Sequence, residues 1–98
     1  MTDVVTLFCP VDAKPGCGEK LKNALTALAI ETRKEAGCIC YRLHETANPD
    51  HFLIYEQWKN DDALTSHCNS PHLLAFLSGS AELLLEDPCG ERAFEFAE

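Results

Sequence analysis

The chain has 98 residues and carries eight Lys plus Arg against sixteen Asp plus Glu, a formal charge of −8. That charge argues against phosphate backbones and anionic membrane surfaces as partners, and no stretch nears the roughly eighteen apolar residues of a membrane span. An apolar content of 46% with five Gly and five Pro describes one folded domain over residues 1–98, small enough that oligomerisation is a natural source of extra stability.

The segment "DVVTLFCPV" (residues 3–11) is rich in β-branched and apolar residues and ends before the breaker "KPG" (residues 14–16), so it reads as the first strand. Pro10 cannot donate to a ladder, which places it near the strand's end or on an edge. From Gly18 to Glu35, Leu21, Ala24, Leu25, Leu28 and Thr32 repeat at three-and-four spacing, and Arg33, Lys34 and Gly37 suit a helix C-terminus. "CICYRLHE" (residues 38–45) alternates as the second strand. "TANPD" turns the chain, and "HFLIYEQW" (residues 51–58) returns as the third strand of a hairpin.

Asn60 caps a short helix that runs to about Cys68, with Asp61 and Asp62 favourable to its dipole. Ser70 and Pro71 open a second helix carrying Leu73, Leu74, Phe76, Leu77 and later Leu83. "ERAFEF" (residues 91–96) alternates as the last strand. The order β-α-β-β-α-β, with its second helix broken in two, is the ferredoxin-like plan of the α+β class with a four-stranded antiparallel sheet. Its helices cover one sheet face, yet the third strand is apolar on both: Phe52, Ile54 and Trp58 on one side, Leu53 and Tyr55 on the other. The second face is expected to be covered by another copy of the chain in a symmetric homodimer.

The start "MTDVVTLFCPVDA" has no basic region, long apolar core or small-residue cleavage site, so the expected compartment is the cytoplasm. Cys38 and Cys40 form a C-x-C and the others stand at 9, 17, 68 and 89; with no C-x-x-C, most are expected to be buried thiols. His67, Cys68 and His72 crowd together in sequence, but adjacent helical positions differ by about 100° and Pro71 changes the axis before His72. No metal is expected on those grounds. His67 follows Leu64 and Ala63 by three and four positions and so faces the sheet, where a histidine can act as acid or base. Glu56 shares a face with Ile54 and Trp58, where a carboxylate needs a partner or a raised pKa.

The run "EAGCICYRLHETANPDHFLIYEQWKNDDALTSHCNSPHLLAFL" (residues 35–77), with its "PGC..Y.LH"-like strand, "F...E.W" and "H..SPH", resembles the antibiotic biosynthesis monooxygenase domain. The resemblance implies a dimeric α+β barrel. Family activities include cofactor-free oxidation of quinols and anthrones, haem degradation, and isomerisation of a phosphorylated autoinducer sugar. The nearest branches share Tyr55-Glu56, His67 and Pro71-His72. The resemblance implies a small-molecule substrate, no cofactor, His67 as base with Glu56 or Tyr55 fixing its tautomer, and Trp58, Phe76, Phe52 and His72 as substrate contacts. The isomerase and a non-catalytic ligand-binding dimer stand as alternatives.

Overall fold

In the computed structural model, which describes residues 3–97, the chain runs β1 (Val5–Asp12), α1 (Gly18–Thr32), β2 (Cys38–Glu45), β3 (His51–Trp58), α2 (Asp61–Cys68), α3 (Pro71–Gly79) and β4 (Glu91–Ala93). The four strands form one antiparallel sheet in the order β2-β3-β1-β4, the ferredoxin-like arrangement. Alternation sends Val5, Cys9 and Val11 of β1, Tyr41 of β2, and Phe52, Ile54 and Trp58 of β3 into the core. Leu21, Leu25, Leu28 and Ala29 of α1 and Phe76 of α3 meet them there. Fully burying a leucine contributes about 1.5–3 kcal/mol, so three from one helix face hold α1 far more firmly than its intrinsic propensity does.

Asn60 and Ser70 cap α2 and α3 as the sequence predicts. Asn60 accepts from the Ala63 N–H at 2.8 Å and Ser70 from the Leu73 N–H at 3.4 Å, with Pro71 in the first helical position. The start of α1 is secured differently. Cys17 offers no side-chain cap, and the Asp50 carboxylate, from the β2–β3 turn, accepts from the Gly16 N–H at 3.1 Å and the Gly18 N–H at 2.9 Å. Gly16 has φ +82, a left-handed conformation that glycine adopts without strain.

Three boundaries differ from expectation. α1 stops at Thr32 rather than Glu35: the Arg33 N–H still bonds the Ala29 carbonyl at 3.0 Å, but Lys34 and Glu35 then tighten into bonds to the Glu31 and Thr32 carbonyls, while the Arg33 side chain donates Nε and Nη2 to the Tyr41 carbonyl at 2.9 and 2.7 Å. α3 ends at Gly79, leaving Leu83 in the turn beyond it. β4 covers three residues instead of six. Its register sets Ala93 against Thr6, so Phe96 would fall opposite a position before β1 begins, and Phe94 and Phe96 are 77% and 99% exposed. That short β4 also places Pro10. β1 is an inner strand by order, yet β4 pairs only with Thr6, Leu7 and Phe8, so Pro10 lies on a stretch of β1 that is an edge.

Among the described residues, no helix is long and apolar enough to cross a membrane.

Candidate active site

A cavity of about 140 Å³ opens between the inner face of the sheet and the helices. Leu7, Cys9, Val11 and Ile54 form its sheet wall, Leu25 and Leu28 of α1 and Leu73 and Phe76 of α3 close it, and Tyr41, Glu56 and His67 supply its hydroxyl, carboxyl and imidazole. No Lys or Arg is among its described lining residues.

His67 is 4% exposed. Helical spacing carries it from α2 onto the sheet, where its ring stacks on Trp58 with centroids 4.5 Å apart and planes 30° from parallel. The Tyr41 ring lies 5.7 Å away. Behind His67 the corner is pinned, since its carbonyl accepts from Ser70 Oγ at 2.7 Å and from the Ser70 N–H at 3.0 Å.

The partner of the His67 imidazole is neither Glu56 nor Tyr55. Glu35, in the turn between α1 and β2, brings Oε2 to 2.7 Å from His67 Nδ1, and the same oxygen is 2.7 Å from His72 Nε2. An ionised carboxylate only accepts, so both nitrogens are the donors. His67 is thereby held as the Nδ1–H tautomer, with Nε2, on the opposite side of the ring, carrying no proton, and the residue lines the cavity. His67 and His72 therefore do converge, with ring centroids 6.2 Å apart and one Glu35 oxygen shared between them. The sequence-based argument that Pro71 separates them is corrected accordingly.

Glu56 is 6% exposed and accepts from Trp58 Nε1 at 3.0 Å. Burial pushes its carboxyl above the ordinary 4.5, while the Trp58 hydrogen bond and nearby His67 oppose the shift. Its role in fixing the His67 tautomer passes to Glu35. Tyr55 belongs to the other face of β3, packed on Phe8 with centroids 5.1 Å apart, and takes no part in the cavity. Trp58 is fully buried and acts on the cavity through His67 and Glu56. Phe52 is buried on the same face but does not line this cavity, and His72 sits behind it on Glu35; of the four predicted substrate contacts, Phe76 alone reaches it.

The expectation that most cysteines are buried is not met. Cys9 is buried and Cys68 and Cys89 are exposed, the other three lying between. Burial first, then the nearby Glu56 carboxylate, pushes the Cys9 thiol up to about 12.

A profile of the family described as antibiotic biosynthesis monooxygenase matches residues 5–78. The chain belongs to the antibiotic biosynthesis monooxygenase family. "Putative monooxygenase Rv0793" of Mycobacterium tuberculosis is 32% identical over 84 residues, 86% of this chain and 83% of its own. The solved structure of Rv0793 superposes with a TM-score of 0.85 at 27% identity, covering 97% of each chain. That of PA3566 from Pseudomonas aeruginosa gives 0.89 at 36% identity, covering 99% of this chain and 98% of that one. Family membership and the name of this relative support a monooxygenase-like function.

Within this family member, Glu35 is the residue that sequence reasoning passed over. One signal existed. A carboxylate just past the C-terminal end of a helix opposes the helix dipole, so it calls for a partner elsewhere, and two histidines provide it.

Proposed function

We propose that the protein is a cofactor-independent monooxygenase that oxidises a single-ring quinol with O2, using His67 Nε2 as general base. The observation that supports this reading is the place of His67, with Nδ1 bonded to Glu35 and the residue lining a small, mostly apolar cavity. The volume limits the substrate: a dry apolar cavity of about 150 Å³ holds one benzene ring. A phosphorylated ketose would want a cation, and none is found among the described lining residues.

In the reaction, His67 Nε2 takes the phenolic proton, and the electron-rich anion passes an electron to O2. The resulting radical pair combines into a ring-bound peroxide. The imidazolium returns its proton to the distal peroxide oxygen; the C–H proton of the peroxide-bearing carbon is then lost, its electron pair forms the ring carbonyl as the O–O bond breaks, and the departing hydroxide takes up that proton as water, so quinol plus O2 gives hydroxyquinone plus H2O. Glu35 stabilises the transient imidazolium, as a carboxylate does behind any histidine base. An apolar enclosure keeps water from the intermediates.

The site is proposed to work within a homodimer in the cytoplasm. Phe8 and Leu53, 50% and 42% exposed on the uncovered sheet face, support the pairing.

An oxygen electrode with a panel of single-ring quinols provides the test. Uptake is expected for the wild type and is expected to fall about 10²–10⁴-fold in His67→Gln. Glu35→Gln, which keeps a hydrogen-bonding group but loses the charge, is expected to fall by about 10²-fold through kcat more than KM. No uptake with any quinol, or full activity in His67→Gln, overturns the proposal.

A further inference from the structure

Glu35 Oε2, His67 Nδ1 and His72 Nε2 lie within 4.8 Å of one another. Two imidazoles and a carboxylate are a complete protein ligand set for zinc, with a fourth position left to water. Bonds of about 2.0–2.2 Å to a tetrahedral ion hold its donors about 3.3–3.5 Å apart. Each nitrogen is now 2.7 Å from the oxygen and the two nitrogens lie within 4.8 Å of each other, so one ion can replace the two shared protons if each N–O distance opens by under about an ångström and the nitrogens settle to the tetrahedral spacing.

The trio is also held and reachable. Stacking on Trp58 fixes the His67 ring plane, while the Ser70 bonds to its carbonyl fix the backbone from which His72 follows. Glu35 lines a surface depression with Gly37, Lys59, Asn60, Asp62 and Ala63, and the Glu35 and His72 side chains are 16% and 22% exposed. Two of the three donors are therefore on residues that solvent reaches. Lys59 opposes an ion locally, Asp62 offsets Lys59, and the charge of −8 favours cations.

We propose that Glu35, His67 and His72 form a zinc site on the Nδ1 side of the His67 ring, and that zinc bound there switches the base off. Nδ1 and Nε2 belong to one imidazole. In the neutral ring, coordination at Nδ1 leaves the proton on Nε2, the nitrogen that has to be free to take a proton from substrate. Binding stands on the geometry alone; the switch rests on the proposed function.

Metal-stripped protein titrated with Co2+ as a reporter for zinc tests the site, and zinc displacement follows. The expected result is one ion per chain, with visible d–d bands, no thiolate-to-cobalt charge transfer, and no change when the exposed Cys68 and Cys89 are replaced by Ser. His72→Ala and Glu35→Gln are each expected to weaken binding by about tenfold or more; the milder Glu35→Gln decides if His72→Ala does not fold. Failure to bind, a thiolate band removed by the Ser substitutions, or affinity unmoved by Glu35→Gln overturns the site. With a quinol that turns over, zinc is expected to inhibit at the concentrations at which it binds and chelator to restore the rate. Stimulation by zinc overturns the switch. If no quinol turns over, the proposed function falls, and the cobalt titration still decides the site.

Discussion

His67 reaches its task through neighbours on three different elements: Trp58 of β3 against its ring, Glu35 after α1 on one nitrogen, and Ser70 before α3 on its carbonyl. Glu56 is the counter-case, a carboxyl whose burial raises its pKa above the ordinary 4.5. Because the folded protein then holds a proton that the unfolded chain has released, stability falls as pH rises from that ordinary value through the raised one. Glu56→Gln keeps an oxygen for Trp58 and removes the titration. Urea melts across pH are expected to move in favour of the variant as pH climbs past about 4.5 and then level off; a difference independent of pH excludes this cause. The inward face of His67 and the awkward burial of Glu56 were both legible in the sequence, since each follows from the period of its own element. The Glu35 bond was not, because it joins residues 32 positions apart and depends on how the α1–β2 turn meets α2.

At the level of elements, the close approach of α2 to that turn is what sets His67 in place. A Cβ on Gly37 would overlap the Cβ of Ala63 in α2, and the Gly37 carbonyl already accepts from the Lys59 N–H at 2.9 Å. Gly37→Ala is therefore expected to push α2 outward, at a cost of about 1–3 kcal/mol in chemical denaturation. The indole fluorescence of Trp58 should change with it as His67 leaves the ring. Unchanged stability and emission together mean that the turn yields more readily than α2 does. Strand and helix identities were readable because hydrophobic period and caps agree along β2, β3, α2 and α3. What failed was extent: past Thr32, α1 tightens into i→i−3 bonds from Lys34 and Glu35, and β4 stops at Ala93, whose partner Thr6 is one position inside the start of β1. The limit on β4 is a tertiary effect with no local signature.

For the whole molecule, the sheet has helices on one face, while the other carries Phe8, Leu53 and the Phe8–Tyr55 pair. If copies pair through this face, sedimentation should give twice the 10.9 kDa chain mass, and Phe8→Asp with Leu53→Asp should halve it while leaving circular dichroism intact. A monomeric wild type rules the pairing out.

The short β4 has one more consequence. Between Phe8, paired with Glu91, and Asp12, whose carbonyl accepts from the Leu85 N–H at 2.9 Å, the outer side of β1 has no paired strand. Pro10 stands in that gap, and having no N–H it leaves no donor there without a partner. A residue that looks misplaced in an inner strand thus sits where its missing donor costs the sheet nothing.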